Sequence, residues 1–243
     1  MSVRHVEHVM GTVFSMVADV GEGIGAAVRR LHAIDATFST YRPDSVISRM
    51  ARGERVDHDA EVAEVLARCA EIEADTEGAF SARPDGRLDP SGWVKGWAIE
   101  EVSRLLRAAG SRDHLIVGGG DVQARREPGP DRPWTVGIAD PRRPGRYAAL
   151  VSGHDFAVAT SGTAERGNHI IDPVSGRTAA GFAAVTLIGD SIAHTDAYAT
   201  AVFAMGPKRG LAWVEERDGY EAYAVLPDGR TAETSGFGRY LTG

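Results

Sequence analysis

Apolar residues recur along this chain with two different periods, and the switches between them set out the elements. Over residues 6–20 apolar and polar positions alternate loosely until Gly21-Glu22-Gly23, which predicts a strand or hairpin. Ile24, Val28, Leu31, Ile34 and Phe38 then fall at helical spacing, so a helix with one buried face is expected there. A short helical segment over 46–50 follows the turn-forming Arg42-Pro43-Asp44-Ser45. Asp59 is a candidate cap for the next helix, whose stripe is Val62, Val65, Leu66, Cys69 and Ile72. Gly78 ends that helix or begins a turn facing a ligand. After the turn Arg83-Pro84-Asp85-Gly86, a helix is predicted over about 94–109, closed by Gly110. Strand signals follow at 115–117, 135–138, 147–151, 156–159 and 184–188. A helix over 190–205 stops at Gly206-Pro207, with a helical segment near 207–217 and a last strand around 222–226.

Helical and extended segments alternate irregularly, and several neighbouring strands are joined by connections too short for crossover helices. That predicts an α+β fold with a mixed, largely antiparallel sheet rather than a doubly wound parallel one. No repeat or low-complexity linker marks a boundary, so residues 1–243 are read as a single domain. An apolar fraction of 43% with 25% charged residues is that of a soluble globular protein. The net charge of -7 is dispersed, with no basic patch to suggest nucleic acid. No long apolar run suggests an integral membrane segment or an export signal, so the sequence as it stands predicts a cytoplasmic protein. Removal of a leader would leave the same pattern. The one cysteine, Cys69, lies on a helical stripe and reads as core packing; a disulfide or thiolate cluster would need more.

Four segments can carry chemistry. On a helix, Asp196 and Thr200 are four residues apart and present a carboxylate and a hydroxyl on one face, oxygen donors suited to a hard cation. The same pair occurs in many helices without a metal, and spacing alone favours that plainer reading. Lys95 near a helix start calls for an anion, which phosphate can supply; the alternative is a capped turn followed by packing tryptophans Trp93 and Trp97. Gly118-Gly119-Gly120-Asp121 after an apolar strand is either a tight hairpin or a loop that meets a ligand. His169 can take a proton near neutrality or simply stabilise its turn, and Asp172 can order the same loop by bonding backbone amides.

Taken together, these segments resemble the ApbE-like family of FAD:protein FMN transferases. The resemblance runs through Met10-Gly11-Thr12, the stretch from Phe38 to Ser45, Gly78-Ala79-Phe80, the stretch from Asp89 to Trp97, Gly118-Gly119-Gly120-Asp121, Ala159-Thr160-Ser161-Gly162, His169-Ile170-Ile171-Asp172-Pro173 and Asp196-Ala197-Tyr198-Ala199-Thr200. It implies that the flavin site lies between two lobes of one compact α+β unit. It also implies that Asp196, Thr200 and the carbonyl of Gly92 are ligands of Mg²⁺. By the same resemblance, Met10, Tyr41, Glu77, Gly78, Ala79, Asp89, Lys95, Ile170 and Ala199 line the FAD site, and His169 and Asp196 are the catalytic candidates. Two features depart from the family pattern: Ser91 stands where two glycines often precede the lysine segment, and the connection from Phe80 to Asp89 is short.

The activity so implied is Mg²⁺-dependent transfer of the FMN moiety of FAD to a threonine or serine hydroxyl of an acceptor flavoprotein, with release of AMP. The partners expected are FAD and that acceptor. Two other readings use the same residues: an FAD pyrophosphatase with water as acceptor, and a non-catalytic FAD-binding protein.

Overall fold

The computed structural model describes residues 2–57, 60–127, 129, 132–163, 170–173 and 176–242. The first alternating segment is a hairpin. In it β1 (Val3–Val9) and β2 (Thr12–Ala18) pair antiparallel with Val9 opposite Thr12. Met10 and Gly11 form the two-residue turn, both with positive φ, 56° and 68°. A tight hairpin demands that conformation at both central positions, and Met10 adopts it without glycine's freedom.

The single apolar stripe of α1 (Ile24–Phe38) buries Ala27, Leu31, Ile34 and Phe38. A short helix, α2 (Val46–Ala51), is capped by the Ser45 hydroxyl, which accepts the Ser48 N–H at 3.0 Å. The next stripe forms α3 (Ala60–Asp75); its expected cap, Asp59, lies outside the described residues. Cys69 is buried on this helix, where burial pushes its thiol up to about 12, in keeping with packing rather than reactivity. The helix expected from residue 94 begins earlier: α4 (Ser91–Ala108) starts at Ser91, because the Asp89 carboxylate accepts the Ser91 N–H at 3.0 Å and turns the Asp-Pro-Ser segment into a helix entry.

A second two-residue hairpin joins β3 (Asp113–Gly118) to β4 (Asp121–Arg126), with Gly118 opposite Asp121 and both Gly119 and Gly120 at positive φ. The glycine run is therefore a turn in its own right. The remaining strands are β5 (Trp134–Ala139), β6 (Tyr147–Gly153), β7 (Asp155–Gly162), β8 (Ile171–Asp172), β9 (Arg177–Thr178), β10 (Ala184–Gly189), β11 (Glu221–Val225) and β12 (Thr231–Glu233). Between β10 and β11 runs α5 (Ile192–Glu215), and a 3₁₀ turn, Phe237–Tyr240, closes the described chain. The expected stop at Gly206-Pro207 is a kink: Gly206 leaves helical geometry at φ 76°, ψ 172°, and Pro207 restarts the helix.

Among the described residues, eight strands form one antiparallel sheet in the order β1-β2-β3-β4-β7-β10-β11-β12, while β5 pairs with β6 and β8 with β9 apart from it. The α+β class with a large antiparallel sheet and packed helices is the one the sequence predicts. Strand alternation sends Phe14, Met16, Ile116, Ala159 and Leu187 into a core shared with the helices. The opposite face packs Val122, Val158 and Ile188 against Val136 and Val151 of the β5–β6 ribbon and against Phe237. Covered on both faces, β4 buries Asp121, Val122, Gln123 and Ala124 in succession. No helix among the described residues is long and apolar enough to cross a membrane.

One buried histidine makes the fold sensitive to acid. His114 on β3 has no exposure; Ser103 Oγ lies 2.8 Å from its Nε2 and Ser111 Oγ 3.1 Å from its Nδ1. Ser111 donates its own proton to Asp19 at 2.6 Å, so it accepts from Nδ1–H, and the neutral ring is satisfied at both nitrogens. Burial, followed by the charge of Arg125, lowers its pKa from 6.5 to about 4. Between those values the unfolded chain binds a proton that the folded one refuses, so this contribution is complete above pH 6.5 and lost as pH falls to about 4. The loss is about 3 kcal/mol. Urea unfolding at a series of pH values should show that acid-side fall in the parent and a flatter profile in His114→Gln.

Candidate active site

At the end of the sheet where both two-residue hairpins turn, α4 and α5 cross the strands in close contact. That contact is possible because of Gly96: a Cβ there would lie 2.6 Å from the Ile192 carbonyl and 2.9 Å from Asp196 Cβ. The start of α5 is pinned on three sides. Ser191 caps it, Gln123 Oε1 of β4 accepts the Ile192 N–H at 3.1 Å, and Glu100 Oε2 of α4 accepts the Ala193 N–H at 3.2 Å. Asp196, one turn further on, is thereby fixed against α4.

Asp196 is 4% exposed, and its Oδ2 accepts the Gly96 N–H at 3.0 Å while its Oδ1 stands 3.3 Å from Lys95 Nζ. On the other side of Lys95 lies Asp121, also buried, in ion-pair contact through Oδ2 and accepting the Thr160 N–H through Oδ1 at 3.0 Å. The anion that Lys95 calls for is thus present within the chain, as two carboxylates. Lys95 retains about a quarter of its side-chain exposure, 26%, against 2% for Asp121 and 6% for Asp196.

Two carboxylates share one ammonium, leaving a surplus negative charge in a buried place. Burial pushes the Asp196 carboxyl upward, with Lys95 opposing it and Asp121 adding to it. For Lys95, burial alone would depress the pKa, but Asp121 and then Asp196 outweigh it and the ammonium is held firmly protonated.

One loop outside the trio touches Lys95. A Cβ on Gly119 would be 3.1 Å from Thr12 Oγ1 and 3.6 Å from Lys95 Cδ, so the β3–β4 turn touches both the lysine and the strand that follows Met10. Gly92 sits in the first turn of α4, and a Cβ there would be 3.0 Å from the ring of Phe80. The Thr76 hydroxyl folds the preceding loop by accepting the Phe80 N–H at 3.0 Å; within that loop Glu77 takes positive φ and pairs with Arg209 at 2.9 Å. In a regular helix the Gly96 N–H would serve the Gly92 carbonyl, and Asp196 competes for that donor. Thr200 is half-buried one turn beyond Asp196, and Ala199 is fully buried. Ile170 packs on the core, its carbonyl accepting the Ala179 N–H at 2.9 Å.

Some expected residues stand apart. Tyr41, 84% exposed, lies on the α1–α2 connection, and Asp89 spends one carboxylate oxygen on the start of α4. His169 lies outside the described residues. The sequence reading assigned no role to Asp121, Gly96 or Thr160; the aspartate after the glycine turn was the available signal, but a polar residue opening a strand reveals its partners only in three dimensions.

The ApbE family model matches residues 10–83 and 81–224. Over 164 residues the chain is 34% identical to the FAD:protein FMN transferase of Rhodobacter capsulatus, a match covering 63% of this chain and 31% of that protein. Over 168 residues it is 32% identical to the FAD:protein FMN transferase of Treponema pallidum, covering 62% of this chain and 46% of the relative. These matches span less than half the length of either relative. Among solved structures, the ApbE protein of Thermotoga maritima superposes with a TM-score of 0.87 at 21% identity, covering 100% of both chains. The flavin transferase ApbE of Vibrio cholerae does so with a TM-score of 0.84 at 22% identity, covering 99% of both. At these identities the structural likeness concerns the fold.

Proposed function

Because the chain belongs to the ApbE family, we propose that it is an FAD:protein FMN transferase, moving the FMN half of FAD onto a threonine or serine hydroxyl of an acceptor flavoprotein and releasing AMP, with Mg²⁺ as the cation. The observation that carries this reading is the buried trio Lys95, Asp121 and Asp196, whose surplus negative charge lies beside the first turns of α4 and one helical turn from Thr200.

Among the described residues no group of three or more His, Cys, Asp or Glu forms a complete metal cage. A magnesium ion that serves a nucleotide substrate commonly takes one or two carboxylates and fills its octahedron with water and phosphate oxygens. On their positions in the family motifs, Asp196, Thr200 and the Gly92 carbonyl would make such a partial, all-oxygen set. One feature favours a cation: the surplus charge that Asp121 and Asp196 leave around a single ammonium. When bound, the ion would supply charge neutralisation at the pyrophosphate.

The chain's own residues would do the rest. Lys95, the most exposed of the trio, would offer its positive charge to the diphosphate, and the Gly119–Gly120 turn would allow close backbone approach. Met10, Tyr41, Glu77, Gly78, Ala79, Asp89, Ile170 and Ala199 are assigned to FAD contacts on their positions in the family motifs. His169, on the same basis, takes the proton from the acceptor hydroxyl. The hydroxyl oxygen bonds to the phosphorus on the FMN side, the bridging P–O bond breaks, and AMP carries off the electron pair. No electron is exchanged with the flavin ring, so positioning and charge compensation account for the catalysis.

The test is incubation with FAD, Mg²⁺ and candidate flavoproteins from the same cell, followed by intact-protein mass analysis. The expected result is an acceptor carrying FMN as a phosphoester, with AMP released in equal amount. FMN and AMP without a modified acceptor would make the protein a pyrophosphatase; FAD retained whole with metal and acceptor present would make it a carrier.

A further inference from the structure

Asp121 belongs to none of the groups assigned to FAD or the cation, yet it grips one of them. It is 1% exposed at the start of β4, directly after the Gly119–Gly120 turn, and its Oδ1 is tied to the Thr160 N–H of β7 at 3.0 Å. Its Oδ2 holds the Lys95 ammonium. Asp196 has the same arrangement on the opposite side, with one oxygen on the Gly96 N–H at 3.0 Å and the other 3.3 Å from the same ammonium. Lys95 is therefore suspended between two carboxylates, each anchored to backbone, and sits nearer to Asp121.

This arrangement decides how much negative charge Asp196 has to offer. A private Lys95–Asp196 pair would be neutral and would occupy the carboxylate oxygen that a cation needs. Resting on the reading of Asp196 as a cation ligand, we propose that Asp121 is a positioning residue that draws Lys95 off Asp196 and keeps that carboxylate available to the divalent ion. The anchor on Thr160 prevents Asp121 from following the lysine, and the two-residue hairpin fixes where its side chain begins. Outer-shell partners of this kind commonly alter metal affinity by about 10–100-fold when replaced.

Asp121→Asn retains an oxygen for the Thr160 N–H and removes the charge that competes for Lys95. Mn²⁺ binding, followed as loss of the free-ion EPR signal with FAD present and no acceptor, is expected to weaken by about 10–100-fold relative to the parent. Activity should recover as Mg²⁺ is raised, and Asp121→Glu should bind Mn²⁺ more tightly than Asp121→Asn. Unchanged Mn²⁺ affinity in folded Asp121→Asn overturns the proposal. So does activity lost at every Mg²⁺ concentration, which marks a purely structural role, or binding by Asp121→Glu no better than by the asparagine variant. If the parent itself neither binds Mn²⁺ nor cleaves FAD, the functional reading falls and takes this proposal with it; a competent parent with an indifferent Asp121→Asn sinks the proposal alone.

Discussion

Asp196→Asn is expected to lose Mg²⁺-dependent FMN transfer by about 10³-fold while melting at or above the temperature of the parent. The size follows from removing the one carboxylate in the proposed ligand set, a contribution of several kcal/mol, where each 1.36 kcal/mol is tenfold in rate. The stability prediction follows from the surroundings. Asparagine keeps an oxygen for the Gly96 N–H, and it relieves the trio of the surplus charge that pushes the Asp196 carboxyl upward. Lys95 stays paired with Asp121. A site that gains stability when its charge is deleted is one that holds the charge for another purpose. AMP release and differential scanning calorimetry on the same preparation check both halves. A variant that turns over at the parental rate in Mg²⁺ would remove Asp196 from the chemistry.

Lys95→Met should have the larger effect on folding. It preserves most of the aliphatic stem but leaves Asp121 and Asp196 facing each other in a buried place without their counter-charge. Stranding a buried charge in this way costs about 3–5 kcal/mol. For a chain of this length that is a fall in melting temperature of about 10 °C. The loss should be pH-dependent in a definite direction. Burial already raises the Asp196 carboxyl of the parent from 3.8 to about 7, so the folded protein binds the extra proton before the unfolded chain does. Without Lys95 the upward push is larger. The variant should therefore regain stability relative to the parent as pH falls toward about 7 from above, the interval in which its Asp196 carboxyl holds a proton and the parent's does not. Calorimetry of both proteins across that range measures it; a variant as stable as the parent at pH 8 would show that the lysine is not needed to hold the carboxylates.

The helices were legible wherever one apolar stripe met one core. The stripes of α1 and α3 lie at the spacings that bury Leu31, Ile34, Val65 and Ile72. The entry to α4 lies three residues before the position its apolar pattern predicts, because Asp89-Pro90-Ser91 is equally good as a turn and only the bond from the Ser91 N–H to Asp89 makes it a helix start. β4 carries no such signal. Its sequence, Asp121-Val122-Gln123-Ala124-Arg125-Arg126, has too few apolar residues for a strand signal, and its buried polar side chains are satisfied by partners from elsewhere: Lys95 and Thr160 for Asp121, Ile192 and Phe156 for Gln123. The pairing of β5 with β6 away from the main sheet was likewise invisible, because strand partnership is a long-range choice.

By itself the sequence determined what short-range periodicity and motif order can determine: which segments are helical, which are extended, that Asp196 and Thr200 share a helix face, and that Lys95 needs an anion. Tertiary structure decided which anion that is. The partners of Lys95 come from residues 121 and 196, and the close crossing of α4 over α5 rests on the missing Cβ of Gly96 against the Ile192 carbonyl. Charges so distant in the chain meet only when sheet register and helix packing place their backbones, and in a buried setting that meeting, more than the identity of each residue, sets how much charge is left for a ligand.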